Sequence, residues 1–82
     1  MKSYVLTVSC KSTRGIVAAI TGYLAEKGCY ISDSSQFDDF QTGLFFMRLT
    51  FISQDGAKLE ELREGFEPVI KRFEMMMEIR DS

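Results

Sequence analysis

The sequence predicts an α+β domain in which a four-stranded antiparallel sheet carries two helices on one face, in the order βαββαβ. Three observations predict it. Apolar residues alternate at period two in three stretches, they recur at helical spacing in two others, and a turn-rich segment joins the middle pair of strands. At 82 residues the chain makes one domain. A domain of this size buries only about 60–65% of the surface its unfolded chain exposes, so association with another chain would add to its stability.

Tyr4, Leu6, Val8 and Cys10 alternate with Val5, Thr7 and Ser9, giving a first strand with one face in the core. Ile16, Val17, Ile20, Tyr23 and Leu24 then recur at helical spacing, so residues 14–27 should be helical. Ser12 or Thr13 is the expected N-cap, and Gly28 the left-handed residue that ends the helix. The second strand begins near Cys29 and runs to Phe37, and its middle, residues 32–36, is too polar for a strand buried on both faces. Residues 38–43 supply turn chemistry, after which Phe45, Met47, Leu49 and Phe51 share one face of a third strand.

Asp55 is the expected N-cap of a second helix, in which Leu59, Leu62, Phe66, Val69, Ile70 and Phe73 repeat at near-helical intervals. Pro68 removes a hydrogen bond to Glu64 and crowds its carbonyl, so a kink or break is expected close to Gly65. Met75, Met77 and Ile79 alternate with Met76, Glu78 and Arg80 in a last strand expected to match the first in length. With right-handed crossovers and both helices on one side, this order gives a ferredoxin-like sandwich.

Helices on one side leave the opposite face with Phe46, Met76 and Val5 among Thr7, Arg48, Thr50, Glu78 and Arg80. A face this apolar reads as a partner surface. The reading depends on register, because a one-residue slip exchanges the two faces of a strand.

The net charge of −2 and the lack of any Lys/Arg run weigh against a nucleic-acid partner, which is held by clustered positive charge. No apolar run approaches the ~20 residues needed to span a bilayer, and Met1 and Lys2 lead straight into a strand, so no membrane partner and a cytoplasmic location are expected. With no histidine, neither a Ser-His nor a Cys-His pair can be built. Cys10 and Cys29 lack metal-site spacing and should pack as small hydrophobes; a disulfide between them is the alternative, which a cytoplasmic location disfavours. No metal, cofactor or catalytic residue is expected.

Three other clusters read as structure before chemistry. Asp33, Asp38 and Asp39 gather near a strand end, where a solvated turn accounts for them. The sulfurs of Met75, Met76 and Met77 do not converge, since successive strand residues face opposite sides. The turn through Lys11, Ser12, Thr13, Arg14 and Gly15 opens a helix whose free N–H groups suit an anion, but one glycine does not make a phosphate-binding loop, and helix capping explains the turn about as well.

Several segments carry a family resemblance over essentially the whole chain. The strand ending in Cys10, Gly15-Ile16-Val17-Ala18-Ala19-Ile20, Leu24-Ala25-Glu26-Lys27-Gly28-Cys29, and the hairpin from Ser34-Ser35-Gln36-Phe37-Asp38-Asp39 to Phe45-Phe46-Met47-Arg48 resemble the N-terminal ACT domain of bacterial formyltetrahydrofolate deformylases. Phe66-Glu67-Pro68 and Arg72-Phe73-Glu74-Met75 resemble it too. The hairpin text is the most specific part.

The resemblance implies a regulatory or dimerisation module, ACT domain throughout residues 1–82, that binds a small ligand such as an amino acid at the interface of paired domains. Carried onto this sequence, the ligand residues are Ser12, Thr13, Arg14, Gly15, Ile16, Tyr30, Ile31 and Ser32. It also implies a homo-oligomer, a dimer formed through a sheet edge or the exposed sheet face. The parent hydrolase, which belongs to one-carbon metabolism and purine biosynthesis, converts 10-formyltetrahydrofolate to formate and tetrahydrofolate in a formyltransferase-like domain that these 82 residues do not contain.

Two places depart from the family pattern. Lys11, Ser12, Thr13 and Arg14 stand where the turn commonly reads Pro-Asp-Arg-Pro, and Tyr30 stands where an asparagine is expected. A stand-alone ligand-binding or oligomerisation module fits the same resemblance. A small acylphosphatase-type hydrolase of this topology would need a catalytic asparagine, and the chain has none.

Overall fold

The computed structural model describes residues 2–82. Strand β1 (Lys2–Lys11) is followed by helix α1 (Ile16–Glu26), strands β2 (Cys29–Asp39) and β3 (Leu44–Ser53), helix α2 (Leu59–Phe73) and strand β4 (Met76–Asp81). All pairings are antiparallel and the sheet order is β2-β3-β1-β4, the ferredoxin-like arrangement expected from the pattern.

Alternation sets the core. Tyr4, Leu6 and Val8 of β1 lie beside Phe51, Leu49 and Met47 of β3, and all six side chains are buried against Ile20 and Leu24 of α1 and Leu62 and Phe66 of α2. Met75 is buried and Met77 packs against the same cluster, while Met76 points away. The two helices meet where Gly65 passes the Tyr23 ring. A Cβ at Gly65 would overlap that phenol, whose ring centroid lies 4.3 Å from that of Phe66.

Both expected N-caps are corrected. Helix α1 starts at Ile16 rather than residue 14, behind Gly15 at φ 92°, with no side-chain cap; Ser12 instead donates its hydroxyl to Asp38. Helix α2 is preceded by extended Lys58, and Asp55 sits too far upstream to cap it, lying against Gly28. Complementary charges do part of a cap's work here, with Glu60 and Glu61 in the first turn and Lys71 and Arg72 in the last.

Other boundaries move for identifiable reasons. Helix α2 runs unbroken through Pro68; Pro68 and Glu64 are exposed, so water can take up the carbonyl the proline leaves unpaired. Strand β4, at six residues, is shorter than the ten of β1, and it starts at Met76 rather than Met75, after Glu74 ends the helix in a left-handed conformation (φ 50°). Strand β2 continues to Asp39, beyond the expected end at Phe37, and the turn shrinks accordingly. Cys10 and Cys29 are free thiols that pair with Phe45 and Ser53 at opposite ends of β3, far beyond disulfide reach.

Candidate functional site

The turn between β1 and α1 is tied to the β2–β3 hairpin by two hydrogen bonds. The Ser12 backbone N–H donates to the Gly43 carbonyl at 2.9 Å, and its hydroxyl donates to Asp38 Oδ1 at 2.8 Å. Ser12, Thr13, Arg14 and Gly15 are exposed, whereas Ile16 is buried and anchors the helix start in the core. No acidic side chain occupies the first turn and none caps it. The first turn of α1 thus begins directly after Arg14 and Gly15 with no side-chain cap, a local field suited to a carboxylate.

Tyr30, Ile31 and Ser32 lie at the other end of the sheet. Tyr30 and Ile31 pair with Ile52 and Phe51, whereas the β1–α1 turn follows Lys11, which pairs with Leu44. Seven residues of β3 separate the two, roughly 23 Å at strand rise. Within one chain the structure brings 12–16 together with Asp38 and brings 30–32 together separately. It does not join the two halves.

The start of β2 is also reshaped by a bulge between Ile31 and Asp33. Ile31 packs against the core, the Ser32 hydroxyl donates to the Thr50 carbonyl at 3.2 Å, and Tyr30 stands 58% exposed across from Ile52. Tyr30 therefore fills no internal pocket. After the bulge the alternation is inverted, so Phe37 lies on the helix-free face against Phe46, ring centroids 6.3 Å apart.

Sequence reasoning missed Asp38 as the partner of Ser12 and missed Phe37 on the open face. Nothing in a polar strand interior signals a bulge, so the inversion had no textual cue.

The perturbed groups are core groups. Burial pushes the Cys10 and Cys29 thiols up, with a Ser53 hydrogen bond opposing part of the effect at Cys29. A thiol held protonated beside the turn is a packing group and a poor nucleophile. Among the described residues no group of three or more His, Cys, Asp or Glu could hold a metal ion. Among the described residues no helix is long and apolar enough to cross a membrane.

The two edges of the sheet differ. At β4, Arg63 of α2 donates through Nη2 to the Ile79 carbonyl at 2.9 Å and so occupies part of that edge. At the outer edge, β2 offers its eleven residues, nearly all exposed beyond its first few, with α1 reaching only its start. An open edge of that length is a template for a further strand.

A βαββαβ sandwich whose glycine-capped turn stands over an open edge strand defines the class. The ACT domain family model matches residues 4–64, and the chain belongs to that family. Formyltetrahydrofolate deformylase from Corynebacterium sp. (strain P-1) is 34% identical over 79 residues, covering 95% of this chain and 28% of that protein. The crystal structure of formyltetrahydrofolate deformylase from Burkholderia mallei superposes with a TM-score of 0.92 at 40% identity, over 99% of this chain and 28% of the other. An ACT domain protein from Streptococcus pneumoniae matches with a TM-score of 0.84 at 29% identity, over 98% of this chain and 89% of its own. The chain thus spans about a quarter of the length of the curated deformylases it matches, and it is an ACT domain resembling theirs.

Proposed function

We propose that this domain pairs through β2 and senses an amino acid on behalf of a formyltetrahydrofolate hydrolase. The observation that carries the reading is the position of the two half-sites relative to the open edge. An antiparallel β2–β2 pair centred near Ser34 would bring the start of β2 from one copy alongside Asp38 of the other, next to the Ser12 that Asp38 binds. Each junction would then contain the start of β2 from one copy and the start of α1 from the other, with the segment Ser12, Thr13, Arg14, Gly15 and Ile16 near the segment Tyr30, Ile31 and Ser32.

The chemistry of that junction suits a zwitterion. Helix N–H groups and the Arg14 guanidinium attract the carboxylate, and Asp38 and the Ser32 hydroxyl offer acceptors for the ammonium.

Light scattering and calorimetry with an amino-acid panel test this. The expected results are a dimer that Ser34→Pro converts to monomer, because proline removes an edge donor, and binding heat that Arg14→Ala and Tyr30→Ala each reduce. A strict monomer at high concentration, with no heat from any amino acid, would overturn it.

The parentage of the domain is tested separately. A formyltransferase-like segment in the coding region beyond Ser82, with 10-formyltetrahydrofolate hydrolysis in the whole protein, is the expected finding. The second reading, a stand-alone ligand-binding or oligomerisation module, is favoured by the Streptococcus pneumoniae ACT domain protein, most of whose length this chain covers. A stop codon directly after Ser82 would decide for it.

A further inference from the structure

Five residues of β2 stand where β3 has four. Ile31 pairs with Phe51 and Phe37 with Phe46, so residues 32–36 lie between the same two rungs as Thr50, Leu49, Arg48 and Met47. One residue of β2 must therefore bulge. The requirement comes from the two anchors, for Ile31 packs against the helix-covered core whereas Phe37 lies on the open face, its ring centroid 6.3 Å from that of Phe46. Six positions apart, they would share a face in an unbroken strand.

The anchors fix that there is one extra residue, but not where it sits. Here it is Ser32, between the Ile31 and Asp33 rungs. Residues 32–36 read Ser, Asp, Ser, Ser and Gln, and all five are exposed, so none gains or loses a buried site by changing faces. Among the described residues a single side-chain hydrogen bond comes from this run, the Ser32 hydroxyl donating to the Thr50 carbonyl at 3.2 Å, and it too is exposed. Strand β2 lies at the sheet edge beside β3, so no second strand pins it.

We infer that the bulge travels along residues 32–36, so that β2 exchanges between registers while Ile31 and Phe37 stay in place. With Ser32 extra, Asp33, Ser34, Ser35 and Gln36 oppose Thr50, Leu49, Arg48 and Met47. With Gln36 extra, Ser32, Asp33, Ser34 and Ser35 oppose the same four residues. Asp33, Ser34 and Ser35 then each turn to the other face.

The backbone carries the consequence. Alternate residues of an antiparallel strand point their N–H and C=O toward the neighbouring strand and the others point theirs outward. Moving the bulge exchanges which of residues 33–35 present these groups at the open edge, so a strand laid along β2 holds the bulge where the pattern fits. The Ser32 hydroxyl also leaves Thr50 when the bulge moves, so a ligand held by Ser32 favours the register seen here. These two couplings rest on the edge pairing and ligand segments proposed above; the travelling bulge does not.

NMR of the isotope-labelled chain, at a concentration where it is unassociated, tests the inference. Cross-strand Overhauser contacts should connect Leu49 to both Ser34 and Asp33, and Met47 to both Gln36 and Ser35. Slow exchange would double the peaks of residues 32–36, and exchange on the μs–ms scale would give relaxation dispersion confined to that run and its β3 partners. Deleting Ser32 removes the extra residue and keeps both anchors on their faces. That variant should fold and show one register, without doubling or dispersion, although a deletion inside a strand ordinarily turns every residue beyond it to the wrong face.

If the deletion variant does not fold, Ser34→Val decides. It sets an apolar side chain beside Leu49 in the register seen here, and should reduce the contacts of the other register several-fold. The inference is overturned if the unaltered chain shows the contacts of one register only, with single peaks and flat dispersion. It is overturned equally if exchange persists in a folded Ser32 deletion or is unchanged by Ser34→Val. A chain that binds no amino acid and forms no dimer leaves each of these outcomes as it was.

Discussion

On the helix-covered face of the sheet, Tyr4, Leu6, Leu49 and Phe51 are enclosed by Ile20, Leu24, Leu62 and Phe66; on the open face, the same strands leave Phe46 and Val5 beneath no helix. Alternation gives both faces large apolar groups, but the helices desolvate only one of them. Stability therefore resides mainly in the covered face. Val5 is the exception: it is only 7% exposed on the open face, in the row that also holds Asp33 and Arg80.

The largest expected effect separates the two faces directly. Phe51→Ala empties a fully enclosed ring site and should cost about 3–5 kcal/mol, whereas Phe46→Ala, measured at concentrations where the chain is unassociated, should stay within about 1 kcal/mol of the parent. Urea denaturation of the two variants makes the measurement. Equal losses would erase the distinction between the faces.

A smaller effect probes how the covering layer is held. Gly65→Ala places a methyl against the Tyr23 ring, forcing α1 and α2 apart, and should destabilise by about 1–3 kcal/mol. Combined with Tyr23→Ala, which vacates that space, the loss should be less than additive. Strict additivity would mean that the helices do not meet at this glycine.

The fold class, the covered core and the open-face residues of β1, β3 and β4 were legible in the sequence, because Leu6, Phe51 and Ile79 keep their period and a single register satisfies all of them. Features without a periodic signal were not. The bulge after Ile31 turns Phe37 from one face to the other through backbone geometry alone. Ser12 was expected to cap α1, yet its hydroxyl serves Asp38, a partner 26 residues away that no local rule can supply. The eight candidate ligand residues were readable by resemblance, but their division between opposite ends of the sheet required the fold.

The smallest effect is a pH dependence that the covered face alone generates. The Tyr4 hydroxyl donates to the Ala57 carbonyl at 2.7 Å inside the core, and burial raises its pKa, with the negative charge of Asp81 adding to the rise. Burial likewise raises Cys10 and Cys29. For each group the folded state favours the neutral form more than the unfolded state does. Their stabilising contribution is thus complete below the unfolded pKa values, about 8.5 for the thiols and about 10 for the phenol, and is lost as pH rises through the higher folded values. The urea midpoint should hold near neutrality and fall progressively above about pH 8.5. Tyr4→Phe should cost about 0.5–1.5 kcal/mol at pH 7, since the Ala57 carbonyl loses its donor, and should flatten the steepest part of the decline above about pH 10. A midpoint that rises with pH, or a decline unchanged by Tyr4→Phe, would show that the enclosed hydroxyl is not the group whose ionisation loosens this face.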